Sequence, residues 1–598
     1  MKKNVYLFQP QYAVEFKEEN TYWIPYSAGC VWSYVSQYAD ISDGFDLKDI
    51  IFRRENPDDV IARIDNPAVC GFSCYIWNQQ YCLLLAQRIK QLWPDCVIIF
   101  GGAQVSGKML VHKFIDSLVL AEGEHGFLDC LRKIQQGRAP DQIYNRQRLE
   151  VLDIPSPYTT GVFDSMIARH PDAAWSMTFE TNRGCPYACT FCDWGGTTYS
   201  KIKKFSIDRI TADLEWAIDK PIGYLYCADA NFGIFKERDL EIARIIKRVA
   251  DISSIDSVNL QYAKNSTEIV FEIAQILGEF SRGITVSVQS MNDSTLETIK
   301  RKNLDINNIK KLMRLSEQHT VPTYTEMILG LPNETLETWK QGFNQILEMG
   351  QHNHIDIWFA QLLENSELNQ TRDQFNITSV VAKDYMPLLN KTDWRDLDED
   401  IELISSTETM SLDDIVEGYM YGWMVLHFHI SGYSQIYSRW LRHCQDVSYR
   451  DFYDCIYASI KDNQLIDQHY QQLKHDVKTY LSTGKFPRSD QVTAGHTIHA
   501  RSYSFFYQNK SEIYQHVLLV CNKFWQVPPA VQQLQENFIY DPGQRLPLSL
   551  PVDLNIYTND IGVFNCTVTS KMSNSSTFDF YRLRRQGLIK NKLTFVKE

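Results

Sequence analysis

The sequence has no long apolar run. None of its 598 residues lies in a stretch that approaches the ~20 apolar residues needed for a membrane-spanning helix. The run from Val425 to Ile430 is interrupted by two histidines. The opening segment, MKKNVYLFQPQY, returns to polar side chains too early for a secretory signal. The sequence therefore predicts no transmembrane segment and a cytoplasmic protein.

The sequence also lacks an excess of positive charge. It holds 60 Lys and Arg residues against 73 Asp and Glu residues, a formal net charge of −13. Broad binding of nucleic acid depends on a basic surface, so this balance argues against a nucleic-acid partner and a tRNA-modifying role. An apolar fraction of 44% and a charged fraction of 22% exclude disordered and fibrous classes. The length is too great for one core and favours several domains.

Residues 1–150 alternate strand-like and helix-like segments. Apolar strand patterns cover Val5–Phe8, Val69–Tyr75, Val97–Phe100 and Ser117–Leu120, and a helical period covers Gln80–Leu92. This alternation is typical of a doubly wound, Rossmann-like parallel sheet. We therefore predict an α/β domain over residues 1–150, followed by a Pro- and Ser-bearing linker over residues 151–172.

A second alternation of strands and helices fills residues 173–380. Its helical segments include Asp208–Ile218 and Asp239–Ala250. The predicted strands are Ser176–Glu180, Gly223–Ala228, Ser257–Tyr262, Gly283–Val288, Thr323–Leu329 and Ile357–Leu363. Six such units predict a partial (β/α)6 barrel rather than a complete eight-fold one.

Beyond about residue 380 the strand rhythm stops. Helical, aromatic-rich segments cover Leu412–Leu441, Tyr449–Ile460 and Leu465–Ser482, and a mixed tail follows. The sequence therefore predicts a helix-rich C-terminal domain over residues 381–598, which we expect to hold the substrate determinants.

Only three of the 14 cysteines have the spacing of metal ligands. Cys185, Cys189 and Cys192 follow a predicted strand, with three and then two residues between them. Thiolates are the preferred ligands of iron–sulfur clusters, and three of them leave one iron of a cubane without a protein ligand. The alternatives are three buried thiols, or a zinc site completed by a distant histidine. No second cysteine pair follows, which favours an oxygen-sensitive [4Fe–4S] cluster.

The segment Thr181–Asp193 resembles the signature of the radical S-adenosylmethionine (SAM) superfamily, CxxxCxΦC, with Phe191 in the aromatic place. The resemblance implies that SAM chelates the open iron and is cleaved to a 5′-deoxyadenosyl radical. It also implies SAM contacts at Cys227, Ala228, Asp229, Asn231, Ser287, Gln289, Arg301, Glu326, Ile328 and Leu329. The usual Gly-Gly-Glu is absent at Cys227–Asp229, so position alone supports these residues.

Three short motifs follow strands of the N-terminal unit, at the edge where open α/β sheets bind ligands. They are Tyr75, Trp77 and Asn78; Gly101, Gly102 and Ala103; and Glu122, Gly123 and Glu124. With Ser156-Pro157-Tyr158, they resemble the cobalamin-binding domain of cobalamin-dependent radical SAM enzymes, which implies that they contact cobalamin. The Asp-x-His-x-x-Gly motif is missing, so the resemblance implies cobalt without a protein histidine ligand.

An aromatic stretch of the C-terminal domain contains Tyr421, His427 and His429. These residues are candidates for moving a proton in a substrate pocket. The alternative is an amphipathic core helix with two satisfied histidines. His427 and His429 are two residues apart, so a helix points them to different faces, which argues against a joint metal site.

The resemblance implies a cobalamin-dependent radical SAM enzyme that methylates an unactivated carbon of a small-molecule or peptide substrate. It implies a [4Fe–4S] cluster, SAM and cobalamin as cofactors, and an external electron donor of the flavodoxin or ferredoxin type. Oxidative cyclisation or rearrangement without methyl transfer is the alternative, and nothing in the sequence separates the two. The intact three-cysteine loop disfavours a third class, a cofactor-binding sensor without turnover.

Overall fold

The computed structural model describes residues 2–12, 20–145, 149–194, 201–263, 268–281, 283–319, 321–383, 393–487, 502, 505–506, 508–540, 545–552, 561–569 and 594–597. Its strands are β1 (Lys3–Phe8), β2 (Thr21–Trp23), β3 (Phe45–Ile51), β4 (Pro67–Ser73), β5 (Val97–Gly101), β6 (Ser117–Leu120), β7 (Ile143–Asn145), β8 (Ala174–Phe179), β9 (Asn182–Arg183), β10 (Lys203–Lys204), β11 (Ile222–Cys227), β12 (Ser257–Asn259), β13 (Ile284–Gln289), β14 (Thr323–Leu329), β15 (Ile355–Phe359), β16 (Thr378–Ala382), β17 (Ile401–Ser406), β18 (Arg545–Val552), β19 (Ile561–Thr569) and β20 (Thr594–Lys597).

Helices connect most of these strands. The N-terminal ones are Tyr26–Ser36, Ala39–Gly44, Pro57–Ala62, Gln79–Leu92, Gly123–Gln135 and Asp164–Arg169. The central ones are Ile207–Trp216, Lys236–Asp251, Glu268–Leu277, Asp293–Thr298, Ile306–Gln318, Leu336–Glu348 and Glu367–Gln370. The C-terminal ones are Leu412–Met424, Gln435–Gln445, Tyr449–Ser459, Gln464–Thr483, Lys510–Phe524 and Pro529–Tyr540, with a π-helix over Val425–Ile430. Within the described ranges, every helix is too short or too polar to cross a bilayer.

Six parallel strands form the N-terminal sheet in the order β3-β1-β4-β5-β6-β7. Successive side chains of β1 point to opposite faces. Val5 packs in the core beneath helix Gly123–Gln135, whereas Phe8 packs in the core beneath helix Gln79–Leu92. Burial of both faces confirms the predicted doubly wound sheet. The strand β3 is not predicted from the sequence, because this edge strand carries polar Asp46, Lys48 and Asp49.

The central strands form two parallel sheets that follow one another along the chain. The first has the order β12-β11-β8-β2, and the second has the order β13-β14-β15. A single parallel bridge between Val258 and Ser281 links β12 to the segment before β13. The six predicted barrel strands are therefore all present and in order. The strand β2 adds a further member from the N-terminal segment.

Strands continue beyond residue 380, so the expectation that they stop there is wrong. The strands β16 and β17 pair antiparallel, and a bridge from Gln361 to Leu403 attaches them to the end of β15. A three-stranded antiparallel sheet, β18-β19-β20, lies in the tail. Between them the chain is helical, which confirms the helix-rich C-terminal region.

Residues 393–400, the strap, join the C-terminal part of the chain to the N-terminal sheet. Glu399 is buried and accepts hydrogen bonds from the backbone nitrogens of Gln80 (2.6 Å) and Tyr81 (3.0 Å). These nitrogens lie in the first turn of helix Gln79–Leu92, which lacks a side-chain cap. The buried guanidinium of Arg54 donates to Glu399 and to the carbonyl oxygen of Leu397. The strap therefore supplies the helix cap and neutralises Arg54.

We expect Glu399→Ala to lower the free energy of unfolding by about 3–5 kcal/mol, because it leaves the Arg54 charge buried without its partner. Urea unfolding followed by tryptophan fluorescence measures the change, since Trp394 of the strap packs on Tyr81. The matched control is Glu215→Ala, which removes a solvent-exposed partner of Arg248 and should cost about 0–1 kcal/mol. Equal urea midpoints for the two variants would contradict this role of the strap.

Candidate functional site

The three cysteines lie on one loop at the carboxyl end of β8 (residues 181–192, the thiol loop). Cys185 and Cys189 are buried, and Cys192 is half-buried. Gly184 has a φ of +110°, and a Cβ there would lie 2.7 Å from the carbonyl oxygen of Lys201. Only glycine fits this position, so the turn that presents Cys185 depends on it.

A buried carboxylate holds the start of the thiol loop. Asp229, just after β11, is fully buried and accepts hydrogen bonds from the backbone nitrogens of Thr181 (2.7 Å) and Asn182 (3.1 Å). The side chains of the same two residues also donate to Asp229, Asn182 Nδ2 at 2.7 Å. Burial raises the pKa of Asp229 to about 7. The structure thus directs this carboxylate toward the loop backbone.

The second half of the thiol loop is held by backbone bonds and by an aromatic ring. The nitrogen of Thr190 donates to the oxygen of Ile299 at 3.0 Å, and the nitrogen of Leu368 donates to the oxygen of Thr190 at 2.8 Å. Phe191 packs against an apolar cluster that includes Ile299 and Leu331. The aromatic residue of the motif therefore fastens the loop to the barrel.

Two polar side chains face the cysteine sulfurs. Asn231 donates from Nδ2 to Cys185 Sγ at 3.2 Å, and its buried Oδ1 has no hydrogen-bond partner among the described residues. The buried guanidinium of Arg301 is close enough to Cys189 for an electrostatic interaction, and burial lowers the pKa of Arg301. A cation or a hydrogen-bond donor beside sulfur stabilises a thiolate that is bound to metal.

The donor set fits a [4Fe–4S] cluster. Three thiols share one loop that is fixed at both ends, and Arg301 and Asn231 stand ready to stabilise negative sulfur. Within the ranges given above, no three Cys, His, Asp or Glu side chains are already gathered to hold a metal. The bonds to iron must therefore draw the three thiolates together.

Three of the predicted SAM residues converge beside Cys189. Ser287 donates from Oγ to Glu326 Oε2 at 2.5 Å, and Arg301 donates from Nη2 to the carbonyl oxygen of Ser287. Nε of Arg301 donates to Asn303 Oδ1 at 3.0 Å. Ser287, Arg301 and Asn303 line a small cavity. Ser287 of β13, Glu326 of β14 and Arg301 therefore place a hydroxyl, an acidic group and a basic group next to the thiol loop.

The remaining predicted SAM residues described here lie at the carboxyl ends of β11, β13 and β14. Cys227 ends β11 and is fully buried, and the backbone nitrogen of Ala228 donates to the end of β8. Gln289 ends β13 with a φ of +64°, a left-handed conformation uncommon for this residue type. Leu329 is buried in the main core, whereas Ile328 packs in the cluster that contains Phe191.

Aromatic residues cover the carboxyl end of β4. The rings of Tyr75 and Trp77 stack with centroids 4.6 Å apart, and the Tyr75 hydroxyl lies 2.6 Å from Ser27 Oγ. Asn78 accepts from the Tyr75 nitrogen at 2.8 Å and donates to the carbonyl oxygen of Pro10 at 2.8 Å. Asn78 therefore shapes the turn that carries the stacked aromatic pair.

The loop after β5 is glycine-dependent and is joined to the barrel. Gly102 has a φ of +107°, and a Cβ there would lie 2.4 Å from the carbonyl oxygen of Cys74. Gly101 ends the strand. The next residue, Ala103, accepts a hydrogen bond at 2.8 Å from Nδ2 of Asn365, which follows β15. The carboxyl edges of the N-terminal and barrel sheets are therefore in contact here.

A second contact between the two edges involves the acidic motif after β6. Glu122 accepts from the backbone nitrogen of Leu149 at 2.7 Å, and Gly123 begins the helix Gly123–Gln135. Glu124 is buried and accepts from Nη1 of Arg183 at 2.7 Å. Since Arg183 belongs to the thiol loop, this ion pair joins the two predicted cofactor edges directly.

The C-terminal candidates lie elsewhere. Tyr421 packs against Phe343 on an outer helix of the barrel, with ring centroids 6.0 Å apart. His429 Nε2 is 2.9 Å from Nδ1 of His352, which precedes β15 and so lies at the opposite end of the strands from the thiol loop. His427 is buried among aromatic rings. The structure does not bring these three residues to the thiol loop.

Sequence reasoning missed several residues of the site. Arg183 and Glu180 form an ion pair at 3.0 Å, and Asn365 bridges the two sheet edges. A charged residue placed between a buried strand and Gly184 is a signal that could have identified Arg183. No local pattern marks Asn365, because its partners are distant in the sequence.

We expect Asp229→Asn to remove one component of the pH dependence of stability. Burial raises the pKa of Asp229 to about 7, whereas an unfolded Asp titrates near about 4. Between these values the native protein binds a proton that the unfolded chain does not, so this residue adds stability as pH falls from 7 toward 4. Urea unfolding of both proteins across this range measures the difference. Parallel stability curves would contradict the prediction.

A family model matches the part of the chain that carries the thiol loop. Residues 179–345 match the model described as the Radical SAM superfamily. The matched residues begin at the end of β8 and include β11 to β14, and so they hold the three cysteines and the converging Ser287, Arg301 and Glu326.

Two known relatives are similar over most of the chain. The 2-(S-pantetheinyl)-carbapenam-3-carboxylate methyltransferase of Streptantibioticus cattleyicolor is 29% identical over 505 residues, which cover 79% of this chain and 73% of that protein. The cobalamin-dependent radical SAM methyltransferase TokK of Streptomyces tokunonensis is 29% identical over 500 residues, with coverages of 79% and 73%.

A solved structure shares the fold. The cobalamin-dependent S-adenosylmethionine radical enzyme OxsB, solved with aqua-cobalamin and S-adenosylmethionine, has a TM-score of 0.52 and 12% identity over 89% of this chain and 83% of that one. This likeness supports the α/β architecture with its N-terminal sheet, barrel and C-terminal helices. Residues 179–345 form a radical SAM domain, and the chain is an enzyme.

Proposed function

We propose that the chain is a cobalamin-dependent radical SAM methyltransferase that methylates an unactivated carbon of a small molecule. The observation that carries this proposal is the contact between two sheet edges, one bearing the three thiols and the other bearing the predicted cobalamin motifs. The methyltransferase names of the two relatives, each similar over 79% of the chain, support methylation rather than cyclisation or rearrangement.

The residues of the site have separable roles in this proposal. When bound, the cluster, SAM and methylcobalamin supply a 5′-deoxyadenosyl radical and a methyl group. Cys185, Cys189 and Cys192 hold the cluster. Arg301, whose buried Nη1 has no hydrogen-bond partner among the described residues, is the group suited to pair with the carboxylate of SAM, whereas Glu326 is suited to its amino group.

The N-terminal sheet, residues 1–150, is the proposed cobalamin domain. The stacked rings of Tyr75 and Trp77 offer an apolar surface at its carboxyl edge. At Gly102 a side chain would collide with the backbone of Cys74, so glycine lets this loop pack against the end of β4 at the edge where cobalamin is proposed to bind. Asn78 holds the aromatic turn in place through its bonds to Tyr75 and Pro10.

The radical SAM barrel at residues 173–380 is proposed to receive its electron from an external donor of the flavodoxin or ferredoxin type.

Residues 381–598 are proposed to hold substrate determinants, because the β16–β17 hairpin extends the barrel sheet from β15. The relatives point to a pantetheinyl-bearing carbapenam as the first substrate to test, in preference to a peptide. We propose no nucleic-acid partner.

The test uses anaerobically reconstituted enzyme with SAM carrying a deuterated methyl group and 2-(S-pantetheinyl)-carbapenam-3-carboxylate. We expect a product heavier by the labelled methyl group, together with both 5′-deoxyadenosine and S-adenosylhomocysteine, because radical formation and remethylation each consume SAM. 5′-Deoxyadenosine with a changed substrate but no S-adenosylhomocysteine would instead identify a cyclisation or rearrangement. Binding of the cofactors without any SAM cleavage would identify a sensor.

We expect Cys189→Ala to abolish cluster iron and SAM cleavage while leaving cobalamin binding intact, because the thiol loop and the cobalamin edge belong to different sheets. Iron, sulfide and cobalt analysis after reconstitution measures the first effect, and chromatography of 5′-deoxyadenosine measures the second. The matched control is Cys444→Ala, which removes an exposed thiol outside the motif and should keep full iron. A Cys189→Ala protein that still forms 5′-deoxyadenosine would refute the ligand assignment.

A further inference from the structure

Arg183 carries a buried charge at the junction of the two proposed cofactor domains. Its side chain is 13% exposed, and it lies two residues before Cys185. Nη1 donates to Glu124 at 2.7 Å, and Nε donates to Glu180 at 3.0 Å. The guanidinium is therefore charged and bound on two sides.

The partners of Arg183 come from different parts of the fold. Glu124 lies in the first turn of helix Gly123–Gln135, inside the motif that follows β6 of the N-terminal sheet. Glu180 follows β8 of the barrel and also accepts from the Tyr26 hydroxyl at 3.2 Å. Since the planar guanidinium fixes the direction of each bond, the three groups set both a distance and an angle between the two edges.

We propose that Arg183 is a positioning residue that sets the thiol loop at a fixed distance from the cobalamin edge. The inference deepens the proposed function and rests on it. The side-chain hydrogen bonds of Arg183 go to Glu124 and Glu180. It acts through the loop, because Cys185 follows it after Gly184, whose φ of +110° leaves that turn little freedom.

Loss of the ion pair between Arg183 and Glu124 should loosen the contact between the thiol loop and the N-terminal unit. It should not separate the N-terminal sheet from the barrel sheets. A second tie remains at the loop after β5, where Asn365 donates to the oxygens of Ala103 (2.8 Å) and Val105 (3.1 Å). Ser106 also donates to Glu364 at 2.8 Å. With this tie intact, variants at the ion pair are expected to fold and to load both metals.

The test measures the separation between the two metal centres. The holoenzyme is reconstituted with iron, sulfide and hydroxocobalamin and reduced with dithionite, which makes the cluster and cob(II)alamin paramagnetic. Pulsed electron paramagnetic resonance then gives the distribution of distances between them. The variants are Glu124→Gln and Arg183→Gln, which break the ion pair, Arg183→Lys, which keeps the charge, and Arg132→Gln, which breaks an exposed pair on the same helix.

We expect one narrow distance peak for the unchanged enzyme and for Arg132→Gln, and loss of that single peak in Glu124→Gln and Arg183→Gln. Arg183→Lys should restore part of it, which a general loss of stability would not do. An unchanged narrow peak in Glu124→Gln and Arg183→Gln, at full iron and cobalt content, would overturn the proposal. If Arg183→Gln does not fold, Glu124→Gln decides. An unchanged enzyme that loads no cobalt refutes the proposed function instead.

Discussion

The buried carboxylate of Asp229 is the contact on which the position of the thiols depends. The strands β8 and β11 are parallel neighbours, so the loop that leaves one and the residues that follow the other meet at the same edge. Asp229 uses this proximity to receive four hydrogen bonds from Thr181 and Asn182. The thiol loop therefore starts from a fixed point, and Gly184 and Phe191 determine its course beyond it. Three ligands on one flexible loop could not be presented together without such a start.

Two of the buried charged contacts of this chain lie where units of the fold meet. Arg183 bridges Glu124 and Glu180, and Glu399 of the strap caps a helix of the N-terminal sheet. Removing ions from water is costly, so such pairs add little net stability over an apolar contact. What these pairs add is directionality, because each hydrogen-bond donor tolerates only a narrow range of acceptor positions. Ionic contacts at these boundaries therefore suit a molecule in which two edges must face each other in one arrangement.

The sequence predicts the buried strands well and the polar ones poorly. The predicted segments Ser117–Leu120 and Thr323–Leu329 coincide with β6 and β14, because both are apolar runs that end at clear turns. The edge strand β3 and the hairpin strand β17 were not predicted, since their exposed or half-buried faces carry polar residues. The three thiol ligands stay a prediction made from their spacing, and the match of residues 179–345 to the Radical SAM superfamily model agrees with the family to which that spacing points.

The sequence could not show which residues contact one another across the fold. Asp229 was assigned to SAM from its place after β11, yet its carboxylate is occupied by residues 48 positions earlier in the chain.

The same limit explains why Arg183 was overlooked, because its role depends on Glu124, which lies in a helix of the N-terminal unit. In a parallel sheet, loops at the carboxyl ends are free of the core and can carry chemistry. Two such edges in one chain can serve one reaction only if something holds them face to face. The ion pair at Arg183 and the amide of Asn365 do this from loops, so the contact can be adjusted without disturbing either core.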